Sequence, residues 1–158
     1  MKTFSKKMKS PVGVLTLIAT EKGLAAILWE DDKPNRVKVA IGEASNSHPD
    51  LVECENQLKE YFAGKRKEFS LRLDPIGTDF QKSVWKQLSK IPFGETRSYG
   101  ELAKKLGNPK AGRAVGAANG KNPLSIVVPC HRVIGSNGKL TGFAGGLDNK
   151  EKLLKLEQ

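Results

Sequence analysis

Residues 12–20 alternate between apolar and polar positions and are rich in β-branched side chains; after a turn at residues 21–23 a second extended run follows, "LAAILWE". The pattern predicts a β-hairpin. A polar span over residues 31–47 then gives way to a helical period that puts Leu51, Cys54, Leu58, Tyr61 and Phe62 on one face, which makes Cys54 a core residue. Residues 69–73, "FSLRL", alternate again as a strand, and "DPIGTD" behind them is a cluster of breakers. A domain boundary is expected there, with a small α/β unit over residues 1–75 that carries no chemical motif and a second domain over residues 76–158.

Beyond the boundary the period is helical. Thr78 stands three residues before Gln81, the spacing of a capping box, ahead of Phe80, Val84, Trp85 and Leu88. Ser98 and Glu101 repeat that spacing before "LAKKLG", where Gly107 suits a left-handed helix stop. Asn108 is then expected to cap a third helix, with Pro109 at its first position. Two short helices divided by "GNP" have the outline of a helix-turn-helix. The second reads "KAGRAVGAANG"; each glycine costs about 1 kcal/mol against alanine, so something should compensate, and a helix of such small residues can approach another surface closely. The run "IVVPCHRV" reads as a buried strand that ends in a thiol and an imidazole. "LDNKEKLLKLEQ" closes the chain as a helix, with Asp148 a candidate N-cap three residues before Glu151.

Charge adds a partner. The chain of 158 residues has a formal net charge of +10. Residues 1–75 hold 13 Lys and Arg against 11 Asp and Glu, a net of +2, and residues 76–158 hold 14 against 6, a net of +8. A basic half beside a nearly neutral one points to a polyanion, most simply nucleic acid, although a solvated basic surface gives the same count. Two cysteines without a framework of spacings suit a reducing compartment, and cytoplasm is expected. The basic start leads into an alternating stretch with no apolar signal region. No run approaches the roughly 20 apolar residues that cross a bilayer, so a soluble protein without membrane contact is expected.

Cys130 has three readings. A buried structural thiol is the commonest fate of a free cysteine. A metal ligand fits poorly, because Cys54 and His48 are remote and match no zinc spacing. A nucleophile activated by His131 is the third. Neighbours on an extended strand point to opposite faces, so that pairing needs a sharp turn or a bridging water.

The stretch "IPFGETRSYGELAKKLGNPKAGRAVGAANGKNPLSIVVPCHRVIGSNGKLTGFAGG", with its Pro-Cys-His-Arg-Val signature, closely resembles the O6-alkylguanine-DNA alkyltransferases, and the likeness runs from about Phe80 to Glu157. It implies an α/β protein with a small N-terminal ribonuclease H-like domain, followed by a mostly helical, winged-helix-like domain with a helix-turn-helix. It implies a monomer that acts on double-stranded DNA containing O6-alkylguanine, and on O4-alkylthymine, with no cofactor and no metal. Cys130 attacks the alkyl carbon in a single in-line displacement. The product is a thioether, which water does not cleave, so each molecule acts once. His131 takes the thiol proton through a water, and Glu157 orients the imidazole. Tyr99 donates to N3 of the guanine, and Asn122 ties the turn around Cys130. The carbonyls of Cys130 and Val133 accept from the guanine amine, and the N–H of Ala144 reaches O6.

By the same resemblance Arg113 fills the stack that the flipped nucleotide leaves. Ala114, Gly116 and Ala117, with Lys110 and Tyr99, meet the DNA, and short side chains let the helix into the narrow minor groove. Phosphate contacts then carry affinity, as damage in any sequence requires. Pro129, Val133, Phe143 and Ala144 line the substrate pocket. Phe143 stands where many relatives have tyrosine and Ala144 where some have serine, so this wall lacks hydroxyls. Two rivals predict different outcomes: a non-catalytic alkylation-damage-binding protein binds without thiol alkylation, and a cysteine hydrolase turns over repeatedly.

Overall fold

Alternation builds the first unit, though not only where it is most visible. In a computed structural model, which describes every residue except Ser136 and Lys139, the chain divides into two compact units, Met1–Ile76 and Gly77–Gln158. The first holds a four-stranded sheet of order β3-β2-β1-β4, with β1 Thr3–Met8, β2 Leu15–Thr20, β3 Gly23–Leu28 and β4 Glu43–Ala44. β2 and β3 form the expected antiparallel hairpin, with a register shift at Ile18/Ala19. β1 is a strand that the hydrophobic pattern does not announce: it buries Thr3, Ser5 and Met8, so two of its three buried residues are small and polar. It pairs antiparallel with β2 and parallel with β4. Gly42, at φ 75°, lies so close to Thr3 that a Cβ would overlap the Thr3 carbonyl.

Helix α1, Pro49–Phe62, packs on this sheet and buries Leu51, Cys54, Leu58 and Tyr61, while Phe62 is half-exposed. Burial pushes the Cys54 thiol up to about 12, which fits a packing role. Residues 69–73 are not a strand. Their backbone makes one bridge, Leu24 to Leu73, flanked by Leu24 N–H to Arg72 O at 2.8 Å and Asp74 N–H to Leu24 O at 2.7 Å. A single bridge leaves the alternation without a partner strand to extend along.

In the second unit, α2 Asp79–Leu88 and α3 Tyr99–Lys105 each start at a complete capping box, Thr78 with Gln81 and Ser98 with Glu101. α2 buries Val84, Trp85 and Leu88, but Phe80 is exposed. Gly107 ends α3 at φ 79°. The next helix begins later than the sequence suggests. Asn108 and Pro109 belong to a turn closed by Ala111 N–H on Asn108 O, 3.0 Å, and α4 is Gly112–Gly120, with no side chain capping it. α4 packs against α2 and α3, and Trp85 Nε1–H donates to Ala118 O at 2.8 Å. Two-residue strands β5 Arg97–Ser98 and β6 Val133–Ile134 pair in parallel. α5, Leu147–Leu156, starts from Gly146 at φ 88°, so Asp148 lies in its first turn and is not its cap.

Candidate active site and DNA-facing helix

The apolar run before Cys130 is buried but is not a strand. Asn122 is 1% exposed. Its Nδ2–H donates to Val128 O at 2.9 Å and its Oδ1 accepts Leu124 N–H at 3.0 Å, which closes the chain into a knot of turns. Ile126 sits inside at φ 75°, and Val127 N–H reaches back to Ser125 O at 2.9 Å, a three-residue turn of the strained, positive-φ kind. Pro129 makes the relaxed counterpart, φ −80° and ψ 66°, with Cys130 N–H on Val128 O at 2.8 Å. Cys130–Arg132 then winds as one 3-10 turn. The strand expectation fails because Asn122 satisfies inside the knot the backbone groups that a ladder would otherwise pair. The consequence is chemical: Cys130 and His131 sit on one tight turn and are not held to the opposite faces of a strand.

Both groups are interior, Cys130 4% exposed and His131 fully buried. Glu157, at the C-cap of α5, sets a carboxylate oxygen 2.7 Å from His131 Nε2. The same carboxylate accepts from Arg132, Nε at 2.8 Å and Nη2 at 3.0 Å, while Arg132 Nη1 donates to Ile91 O at 2.7 Å. An ionised carboxylate only accepts, so Nε2 carries the proton and Nδ1 holds the lone pair. His131 Nδ1 is buried and has no hydrogen-bond partner among the described residues. Burial pushes the imidazole below its ordinary pKa, against the opposing pull of Glu157, so His131 is neutral at pH 7.

Two residues in this cluster were not singled out in the sequence. Arg132 stands inside the signature, but nothing in spacing says that it clamps Glu157. Lys150 is fully buried on α5; its Nζ donates to Val133 O at 2.6 Å and lies 5.8 Å from the centre of the Phe143 ring. Burial lowers its pKa. Its helical spacing, three residues before the buried Leu153, was the available signal. The Val133 carbonyl accepts from Lys150 Nζ, and the Cys130 carbonyl from the Val133 N–H. Phe143 and Ala144 are half-buried and Pro129 is buried.

Tyr99 opens α3, and its hydroxyl lies 2.8 Å from Thr141 Oγ1. Its ring lies beside α4, 3.8 Å from where a Cβ on Gly116 would be. α4 buries Val115, Ala118 and Asn119 and exposes Arg113, Ala114 and Ala117 with Gly120 on the opposite face; Lys110 is exposed just ahead of it. One long cation therefore stands on a surface of otherwise minimal relief. No group of three or more His, Cys, Asp or Glu among the described residues is placed to hold a metal ion, and no helix among them is long and apolar enough to cross a membrane.

Similarity to known proteins extends over nearly the whole chain. Residues 4–75 match the model of the 6-O-methylguanine DNA methyltransferase ribonuclease-like domain, and residues 79–158 match that of the DNA binding domain of the same family. A methylated-DNA--protein-cysteine methyltransferase of Methanosarcina mazei is 54% identical over 151 residues, 96% of this chain and 94% of its own. One from Mycolicibacterium paratuberculosis is 48% identical over 153 residues, 97% of this chain and 91% of its own. The crystal structure of the Mycobacterium tuberculosis O6-methylguanine methyltransferase superposes with a TM-score of 0.87 at 46% identity, covering 98% of this chain and 92% of that one. A structure of the Mycobacterium tuberculosis OGT in complex with DNA superposes equally well, at 0.87. With both halves matched in order, and with a buried thiol, imidazole and carboxylate in the second unit, this chain belongs to the 6-O-methylguanine DNA methyltransferase family.

Proposed function

We propose that the protein repairs alkylated DNA by direct reversal, moving the alkyl group from O6 of guanine in a duplex onto Cys130, once per molecule. The observation that carries this reading is the His131–Glu157 pair: a carboxylate on Nε2 at 2.7 Å and a buried Nδ1 with no described partner, one residue from the thiol. Nδ1 accepts the thiol proton through a bridging water, and Glu157 holds the ring and offsets the charge that forms. The Sγ–C bond forms as the O6–C bond breaks, and the guanine leaves with its electron pair while Tyr99 donates at N3. A thioether carries no electrophilic carbonyl for water to attack, so the reaction stops there. O4-alkylthymine offers the same displacement.

The DNA role falls to α4. Its exposed alanines and glycines let the backbone approach a minor groove, Lys110 adds a phosphate contact, and Arg113 is long enough to occupy the stack from which the base is flipped. The second half's net of +8 supplies the sequence-independent attraction. Pro129, Val133, Phe143 and Ala144 form the pocket around the flipped base. All relay residues come from one chain, in keeping with a monomer, and a reactive thiol suits a reducing cytoplasm.

The test is intact-protein mass after mixing with a duplex that carries one O6-methylguanine, followed by peptide mapping. A gain of one methyl on the Cys130 peptide, saturating at one per molecule, is expected. Tight binding with unchanged mass would make the protein a damage sensor, and repeated turnover would make it a hydrolase.

A further inference from the structure

Glu157 contacts more than the imidazole, and the other contact bears on the chemistry. A buried carboxylate without a cation takes up a proton or forces one onto its hydrogen-bond partner, because low dielectric penalises a lone charge. Glu157 is 4% exposed and Arg132 6%. Their pairing is two-pronged, Nε on Oε1 at 2.8 Å and Nη2 on Oε2 at 3.0 Å, a fork geometry that a guanidinium makes and an ammonium does not. The third nitrogen is fastened to Ile91 O beyond the end of α2. Arg132 therefore joins three segments: its own 3-10 turn, the C-terminal end of α5, and the stretch after α2.

We propose that Arg132 is a positioning residue of the relay, neutralising Glu157 and fixing its place so that the carboxylate orients His131 without loading a second proton onto it. This rests on the alkyl-transfer reading above. The logic is a count of buried charge. With Arg132 present, the Arg132–Glu157–His131 set is neutral when the imidazole is neutral, and Nδ1 is left as an acceptor. Without the guanidinium, the His131–Glu157 pair carries a net negative charge in the interior and reaches neutrality by binding one proton. That proton fills Nδ1, the atom that must accept from Cys130. The count is of the hydrogen-bonded set alone: Lys150 adds a positive charge nearby with or without Arg132, but its Nζ donates to Val133 O and does not pair with Glu157. Lys150, on α5, acts on the ring as a second cation and disfavours a further proton, as Arg132 does. Cys130, in the same turn, is uncharged until its own proton leaves. The charged side chains of α2, Asp79, Lys82 and Lys86, are exposed.

The experiment uses the full chain, Arg132→Met and Arg132→Lys beside wild type, with ring-nitrogen NMR of His131 across pH about 5 to about 9. In wild type His131 is expected as the neutral Nε2–H form at neutral pH, titrating below 6.5. In Arg132→Met its midpoint should rise above 6.5, by at least about one pH unit over wild type, and Arg132→Lys should hold it at or below 6.5. The threshold matters, because mere loosening of the site returns an imidazole to its ordinary value but not beyond it. A midpoint in Arg132→Met that is unchanged, or that stops at the ordinary value, overturns the proposal. If that variant does not fold, wild type still decides: an imidazolium, or the Nδ1–H form, at neutral pH overturns it, and so does an Arg132→Lys midpoint above 6.5. The pH profile of transfer from free O6-benzylguanine to Cys130 separates this proposal from the reading beneath it. An acidic limb that follows the His131 midpoint supports both, and a shifted midpoint without a shifted limb upholds Arg132 but removes His131 as the base.

Discussion

Asn122→Ala should loosen the knot that leads into the turn carrying Cys130 and His131, and the structure gives the size of the loss. The side chain makes two buried bonds, to Val128 O at 2.9 Å and from Leu124 N–H at 3.0 Å. The two losses are unequal. Val128 O still accepts Cys130 N–H, so losing one of two donors costs roughly 0.5–1 kcal/mol. Leu124 is fully buried, and its N–H loses the Asn122 acceptor at the full desolvation cost, about 1–3 kcal/mol. The expected destabilisation is about 1.5–4 kcal/mol, a large share of the roughly 5–15 kcal/mol that holds a domain. The two tryptophans make the measurement clean, since Trp29 lies in the first unit and Trp85 in the second. Urea unfolding followed by fluorescence in a Trp29→Phe background reports the second unit alone. With a slope of about 2 kcal/mol per molar urea, the middle of the usual range, the midpoint should fall by about 1–2 M. Methyl transfer, measured well below the new midpoint, should also slow, because Ile126 is held at φ 75° only by the surrounding bonds. A loss under about 0.5 kcal/mol with transfer unchanged would refute the claim that Asn122 builds the site.

Arg113→Ala should slow repair of duplex far more than reaction with free O6-benzylguanine, since only the duplex needs a vacated stack filled; equal losses on both substrates would remove the flipping role. Iodoacetamide should modify Cys130 and spare Cys54 in the folded protein, because burial holds the Cys54 thiol up at about 12 and thiolate is the reactive form; equal labelling by peptide mass would contradict this. Stability should depend on acid through His131. Its folded pKa lies below the ordinary value near 6.5, so the unfolded chain binds a proton that the folded chain refuses; stability is fully present above about pH 6.5 and is lost as pH falls toward the folded value, at up to about 1.4 kcal/mol per unit. Urea midpoints for wild type and His131→Gln at about pH 7.5 and 5.5 test this, and equal acid losses in the two proteins would refute it.

What the sequence determined by itself is local or carried by whole motifs. The capping boxes at Thr78 and Ser98 were legible because each needs only four consecutive residues, and the α1 face because its period is uninterrupted. The family was legible because its motifs occur in order over half the chain. Tertiary structure decided the rest. β1 hides because two of its three buried residues are Thr3 and Ser5, whose burial follows from the strands on either side and not from hydrophobicity. Residues 69–73 alternate like a strand but find a single bridge, and pairing is a property of two segments. The run before Cys130 has the composition of a strand, yet Asn122 and Pro129 spend its backbone bonds on turns. Above all, adjacency in "PCHR" did not reveal that Arg132 and His131 share one carboxylate. Glu157 lies 25 residues from Arg132 and 26 from His131, and only the packing of α5 brings the three together in a place dry enough for their charges to set where a proton resides.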